Sequence, residues 1–194
     1  MIMDTKTALM DCAERAVRRR GFDGFSYADL AEAVGIRKAS IHYHFPTKAG
    51  LSEALMDRYQ AMLEETFVQI DCDLETGAKR MAAVLDFYRN ALNQGQTLCL
   101  CVALIGSRES LSDALDAKII VFRKMVTAWL ARCFALGRED CSIANVVNPD
   151  LEARATLALL EGAQMAARAA EDVNEFDQAT ALLRSRLTLA TSQN

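Results

Sequence analysis

FSYADLAEAVGIRKASIHYHFPTK, residues Phe25–Lys48, is the stretch that decides the fold. It spells two short helices around a tight turn. Ser26 suits an N-cap, and Asp29 three residues on completes a capping-box pair. Leu30, Ala31 and Val34 then share one face of the first helix. Gly35 follows directly, where a helix commonly ends in a left-handed residue that glycine adopts most cheaply. Ile36 plugs the angle between the helices, and Arg37 to His44 forms the second, with Ile41 pointing inward. Phe45 precedes Pro46, and a residue before proline is pushed out of the α region, so the helix stops there. Thr47 caps the next helix. The layout is that of a helix-turn-helix, whose second helix enters the major groove of DNA.

The outward positions of that second helix fit such a task. Arg37, Lys38, Ser40, His42, Tyr43 and His44 offer charge, hydroxyls and ring N–H groups to phosphates and base edges. Ser26 and Tyr27, at the head of the first helix, join the candidate DNA-contacting set. So does Lys48, whose ammonium and neighbouring backbone N–H groups are placed to grip a phosphate.

The longer segment GFDGFSYADLAEAVGIRKASIHYHFPTKAGL, residues 21–51, closely resembles the DNA-binding domain of the TetR family of bacterial transcriptional regulators. The resemblance rests on Gly21-Phe22, the Ala31/Val34/Gly35/Ile36 turn, the Tyr43-His44-Phe45 end of the recognition helix, and Lys48 with Leu51. It covers about the first 60 residues. His42 departs from it, because relatives usually carry tyrosine there. The resemblance implies an all-α protein with an N-terminal helix-turn-helix domain (1–48) and a helical effector-binding and dimerisation domain (49–194).

Composition agrees with a helical globule: 52% of the 194 residues are hydrophobic and only two are proline. The net charge of −4 is unevenly spread. Residues 1–50 hold eight Lys/Arg against six Asp/Glu, and the rest hold fourteen against twenty, which makes the N-terminal part +2 and the remainder −6. A DNA-facing head on an acidic body has that asymmetry. No signal peptide is visible, since Asp4 and Lys6 interrupt the first residues. No apolar run approaches the roughly 20 residues that span a bilayer. Six cysteines in no even framework point to a reduced, cytoplasmic chain.

Along the chain, periodicity predicts a first helix over Thr5–Arg20, with Arg15, Arg18, Arg19 and Arg20 crowding its end. A long helix runs from Thr47 to about Ile70. Helices follow over Gly77–Asn93, Leu98–Ser107 and Leu111–Leu136, and Gly137–Val147 reads as a surface loop. Asn148-Pro149 reads as N-cap and first helical residue. In the last two helices Gly162, Ala163 and Ala166 leave room for close helix approach, and Phe176, Ala179, Leu183, Leu187 and Ala190 fall near heptad spacing. Core packing would produce the same stripes. The resemblance implies instead a homodimer built through a four-helix bundle, with Gly162, Ala163, Ala166, Phe176, Leu183 and Leu187 at the interface.

The inventory for catalysis is poor. Both histidines lie on the recognition helix, no Gly-rich phosphate loop is present, and the chain reads as a non-enzyme without cofactor. Cys99 and Cys101, two apart on a helix, point about 200° away from each other and cannot chelate one ion, so no metal site is expected. Thr97 as N-cap would put Cys99 in the first helical turn, where the dipole lowers a thiol pKa. A thiol-based redox or electrophile sensor acting through Cys99 or Cys101 is therefore the alternative reading. The main reading is a TetR-like repressor, bound to a palindromic double-stranded operator and released by a small-molecule effector. Met62, Phe67, Tyr88, Cys99, Met125, Trp129 and Gln164 are the candidate effector contacts. No charged residue stands out among them, which points to an apolar or reactive effector.

Overall fold

The computed structural model describes residues 4–189, which form nine α-helices and two single turns of 3-10 helix among the described residues. In chain order the helices are α1 (Thr5–Arg20), α2 (Tyr27–Val34), α3 (Lys38–His44), α4 (Lys48–Asp73) and α5 (Gly77–Asn90). They continue as α6 (Leu100–Ile105), α7 (Asp113–Glu139), α8 (Pro149–Ala170) and α9 (Asn174–Arg184). The chain packs as two units, one of residues up to Met62 with Thr97–Val121, the other of Leu63–Gln96 with the residues from Phe122 onward. Both α4 and α7 contribute residues to each unit.

The first unit is built on the apolar face of α1. Leu9, Ala13 and Val17 are buried, along with Phe22, Phe25, Leu30, Ile41, Phe45, Leu51 and Leu55. Emptying such a position with alanine costs about 2–5 kcal/mol. Ser26 and Asp29 cap α2 reciprocally: the Asp29 N–H donates to Ser26 Oγ (3.3 Å) and the Ser26 N–H to the Asp29 carboxylate (2.6 Å). Those bonds hold the Asp29 carboxyl below the ordinary carboxylate range. At the far end Gly35 sits at φ +73°, and the Ile36 N–H closes onto Ala31 O at 3.0 Å. A side chain at Gly35 would meet open space, so only the left-handed backbone, at about 1–2 kcal/mol, selects glycine. Arg58 of α4 forks onto α1, reaching Asp11 at 2.7 Å and Glu14 at 2.6 Å. Arg18 and Leu98 exchange two bonds: Arg18 Nε donates to Leu98 O (2.8 Å) and the Leu98 N–H to Arg18 O (2.9 Å).

In the second unit α5 and α7 touch backbone to backbone. A Cβ on Gly77 would lie 2.3 Å from Gly137 N and one on Gly137 2.4 Å from the Ile143 side chain, so both positions need glycine for contact, not for their dihedrals. Gly137 is thus inside α7 and does not begin the expected loop. The loop after α7 instead caps α5, with Asp140 accepting from the Gly77 N–H (2.9 Å) and Ser142 Oγ from the Ala78 N–H (2.9 Å). Asn148 caps α8 by accepting from the Asp150 and Leu151 N–H groups, with Pro149 at the first helical position. Helices α8 and α9 pack as a hairpin, and Arg89 of α5 clamps Asp177 with bonds of 2.7 and 2.8 Å.

Other boundaries differ from expectation as well: α5 ends at Asn90 and α7 begins at Asp113. Helix α4 runs on to Asp73. Helix α6 is shorter than its apolar run, because Cys99 itself is the N-cap and its Sγ accepts the Val102 N–H at 3.4 Å. Helix α9 ends at Arg184, so Leu187 is not helical. The chain leaves the helix there because the loop after α7 supplies partners. The Thr188 N–H donates to Ser142 O (2.8 Å), the Ala144 N–H to Arg186 O (2.9 Å), and Leu187 faces Ile143 in an isolated antiparallel bridge. Ala190 lies outside the described residues.

Candidate nucleic-acid interface

The recognition helix α3 is seven residues long and buries only Ile41. Its other positions turn outward. Arg37, Lys38 and His42 are exposed, Ser40 and His44 are half-buried, and Tyr43 is 85% exposed with its ring edge-on to His44 at 5.2 Å. Arg37 and Lys38 enter no ion pair among the described residues, so their charge is presented to solvent. Arg37, Ser40, Tyr43 and His44 border a shallow depression of about 510 Å³ together with Thr5 at the start of α1. Arg15, Arg19 and Arg20 are exposed on α1, whereas Arg18 is turned inward to Leu98.

Three candidates make polar bonds within the head. Tyr27 is buried and its hydroxyl donates to Phe45 O at 2.8 Å, and burial raises its pKa. Ser26 is occupied by the capping box. Lys48 Nζ donates to Phe25 O at 2.8 Å and lies 4.5 Å and 4.3 Å over the Phe22 and Phe25 rings. Desolvation lowers its pKa, opposed by the carboxylates of Asp23 and Asp29. A ring face and a carbonyl attract an ammonium strongly when it is partly desolvated, so this lysine pins the turn before α2 to the start of α4. That placement differs from the expected phosphate grip. His42, the departure from the family pattern, leans its ring on Tyr27 at 5.0 Å, with Nδ1 3.3 Å from Pro46 O.

The expected effector contacts do not converge on one place. Phe67 and Trp129 stack in parallel at 4.1 Å with an interplanar angle of 5°, and with Met125 they line a groove of about 260 Å³. Tyr88 and Gln164 meet elsewhere, buried, with Gln164 Nε2 donating to Tyr88 O at 3.2 Å. Met62 and Cys99 belong to the other packing unit. The groove also holds Val68, Asp71 and Arg132, none of which the sequence pattern singled out. Asp71 accepts from Trp129 Nε1 at 3.1 Å and pairs with Arg80 at 2.8 Å. Trp129 lies 58 residues from Asp71 in the chain, so no local signal reveals that pairing. Cys99 and Cys101 are buried, and the exposed thiols are Cys72 and Cys141. Burial pushes the Cys133 thiol up to about 12. No group of three or more metal-ligating side chains occurs among the described residues, and no helix among them is long and apolar enough to cross a membrane.

The small-residue face of α8 is split by phase. Gly162 and Ala166 are exposed, and Ala163 is buried within the subunit. On α9, Phe176 and Leu183 are also buried within the subunit, while Leu182 is 82% exposed. Leu183 is therefore packed inside its own subunit, and its neighbour Leu182 faces out. One residue of helix is a turn of 100°.

A helix-turn-helix head followed by a helical body defines a transcriptional regulator. Residues 9–55 match the family described as bacterial regulatory proteins, tetR family. The head therefore carries the DNA-binding domain of that family. The HTH-type transcriptional repressor NemR of Escherichia coli K12 is 24% identical over 94% of this chain and 93% of its own. A TetR family regulator from Agrobacterium tumefaciens has a similar structure, with a TM-score of 0.89, 24% identity and coverage of 95% of this chain and 98% of that one. The reduced form of E. coli NemR gives a TM-score of 0.80 at 23% identity, over 97% and 100% of the two chains.

Proposed function

We infer that the protein is a repressor that binds a palindromic operator as a homodimer and leaves it when a small molecule occupies the body. The observation that carries this reading is the outer face of α3, where Arg37, Lys38, His42 and Tyr43 stand exposed on a helix held by its buried Ile41 and by the Tyr27 hydroxyl bond to Phe45 O at its end. The repressor relative NemR supports the direction of control. Residues 1–48 are the DNA-binding part and residues 49–194 the effector and dimerisation part in this reading.

The dimer draws on a run of exposed small and apolar residues along α8, Leu151, Ala155, Ala158, Gly162, Met165 and Ala166, with Leu182 on α9. A contiguous exposed apolar strip of this kind marks an interface. Coupling follows from geometry. Two heads must meet half-sites roughly 34–36 Å apart, and α4 carries residues of both packing units. A ligand that favours one position of α4 therefore changes DNA affinity by its difference in affinity for the two states.

A gel shift on the DNA beside the protein's own gene tests the reading. If Arg37 makes a bidentate guanine contact, Arg37→Ala costs about 1–3 kcal/mol and relaxes preference at one base pair. Equal losses on specific and random DNA would move Arg37 to the phosphate backbone. No retention of the wild type would remove the reading.

A further inference from the structure

We propose that the groove between Phe67 and Arg132 is a binding site for a small aromatic anion, a single-ring carboxylate in size and charge. Its floor is the stacked pair Phe67–Trp129, and Val68 and Met125 form apolar walls. Its volume of about 260 Å³ is below the roughly 300–1,000 Å³ of drug-sized sites, which sets the occupant at about one ring. The contacts Phe67–Trp129 and Asp71–Arg132 advance in the same sense along α4 and α7, so the groove runs lengthwise with a charged end.

The chemistry of that end selects the sign. Asp71 is already satisfied: Arg80 pairs with it at 2.8 Å and Trp129 Nε1 donates to it at 3.1 Å. Arg132 is left 3.9 Å from Asp71, beyond hydrogen-bond range, with its side chain 63% exposed. Its planar fork of donors matches a carboxylate in two-point fashion. Glu64 also borders the groove, but it lies two turns before Asp71 on α4, about 10 Å along the axis. A ring over Val68 and Met125 with its carboxylate on Arg132 keeps away from it. An ammonium at the Arg132 end would meet a like charge and a neutralised aspartate.

The proposal deepens the effector reading and rests on it only for the consequence at DNA. Trp129 is the chain's single tryptophan, so its fluorescence reports the groove directly. The full-length protein is titrated with sodium benzoate and, separately, with benzylamine. Benzoate is expected to give saturable quenching and benzylamine none in the same range. Arg132→Gln, at an exposed residue that donates no hydrogen bond within the described chain, is expected to keep the fold and weaken benzoate about fivefold. Val68→Glu, which sets a carboxylate at the exposed mouth, is expected to abolish the quenching. Benzylamine binding as well as benzoate, unaltered benzoate affinity in Arg132→Gln, or no saturable change would each overturn the site. A gel shift at saturating benzoate then separates the two claims. Release of DNA supports the groove as the effector site, and unchanged retention beside clear quenching keeps the anion site and overturns its regulatory role.

Discussion

At the scale of residues, the same lysine that suits a phosphate also suits two aromatic rings, and the fold chooses the rings. Lys48→Ala should destabilise the head by about 1–2 kcal/mol through the lost carbonyl bond and cation–π contacts. The slope of DNA affinity against salt should stay as it is, because the ammonium is spent internally. A slope reduced by about one unit with unaltered melting would return Lys48 to the DNA footprint. Thiol reactivity follows burial in the same way. In a native titration with a thiol reagent, Cys72 and Cys141 should react first and Cys133 only on unfolding. Rapid modification of Cys99 or Cys101 would favour the thiol-sensor reading. The acid side is set by Asp29, Asp140 and Asp177. Hydrogen bonds to the Ser26 backbone and hydroxyl lower Asp29, and the Arg89 fork lowers Asp177. Burial pushes Asp140 up, but bonds from Ser142 and the Gly77 N–H outweigh it. A lowered folded pKa adds stability that is complete above the ordinary value of 3.8 and drains as pH falls through the shifted values. Asp177→Asn should therefore flatten the acid limb of a melting-temperature profile and leave its loss largest at neutral pH.

At the scale of elements, the helix-turn-helix was legible because its signals are local: a cap, a left-handed glycine, a proline stop. Helix α1 was read to the residue for the same reason. The body was legible only in outline. Periodicity gave each helix an apolar face but not the reason for its end, and the ends are set at long range. Gly137 looks like a stop and is instead the contact point for Gly77. Leu187 continues the heptad spacing and is taken from the helix by backbone bonds to the loop at Ser142 and Ala144. The groove needed Arg132 beside Asp71, a pairing across helices that spacing cannot show. The phase of α9 yields a paired prediction. Leu183→Glu should unfold the body, since a carboxylate would be buried unpaired at a site 5% exposed, a cost of several kcal/mol. Leu182→Glu, at an outward position, should leave the helical signal intact and shift sedimentation from dimer to monomer. A stable dimer in the second variant would place the interface off this face of α9.

At the scale of the whole molecule, an N-terminal part with a net charge of +2 is joined to a remainder of −6. Exposed arginines and lysines of α1 and the start of α3 carry much of the positive charge. In the proposed dimer, specific binding needs two heads at once, because a monomer forfeits the effective concentration that its partner supplies. The most direct measurement is the affinity for DNA beside the protein's own gene, against a scrambled duplex of equal length, as salt is raised. The account expects a dimer per site, a preference of about a thousandfold or more for the native sequence, and log affinity falling linearly with log salt. Binding that shows no sequence preference, or that is indifferent to salt, would contradict it.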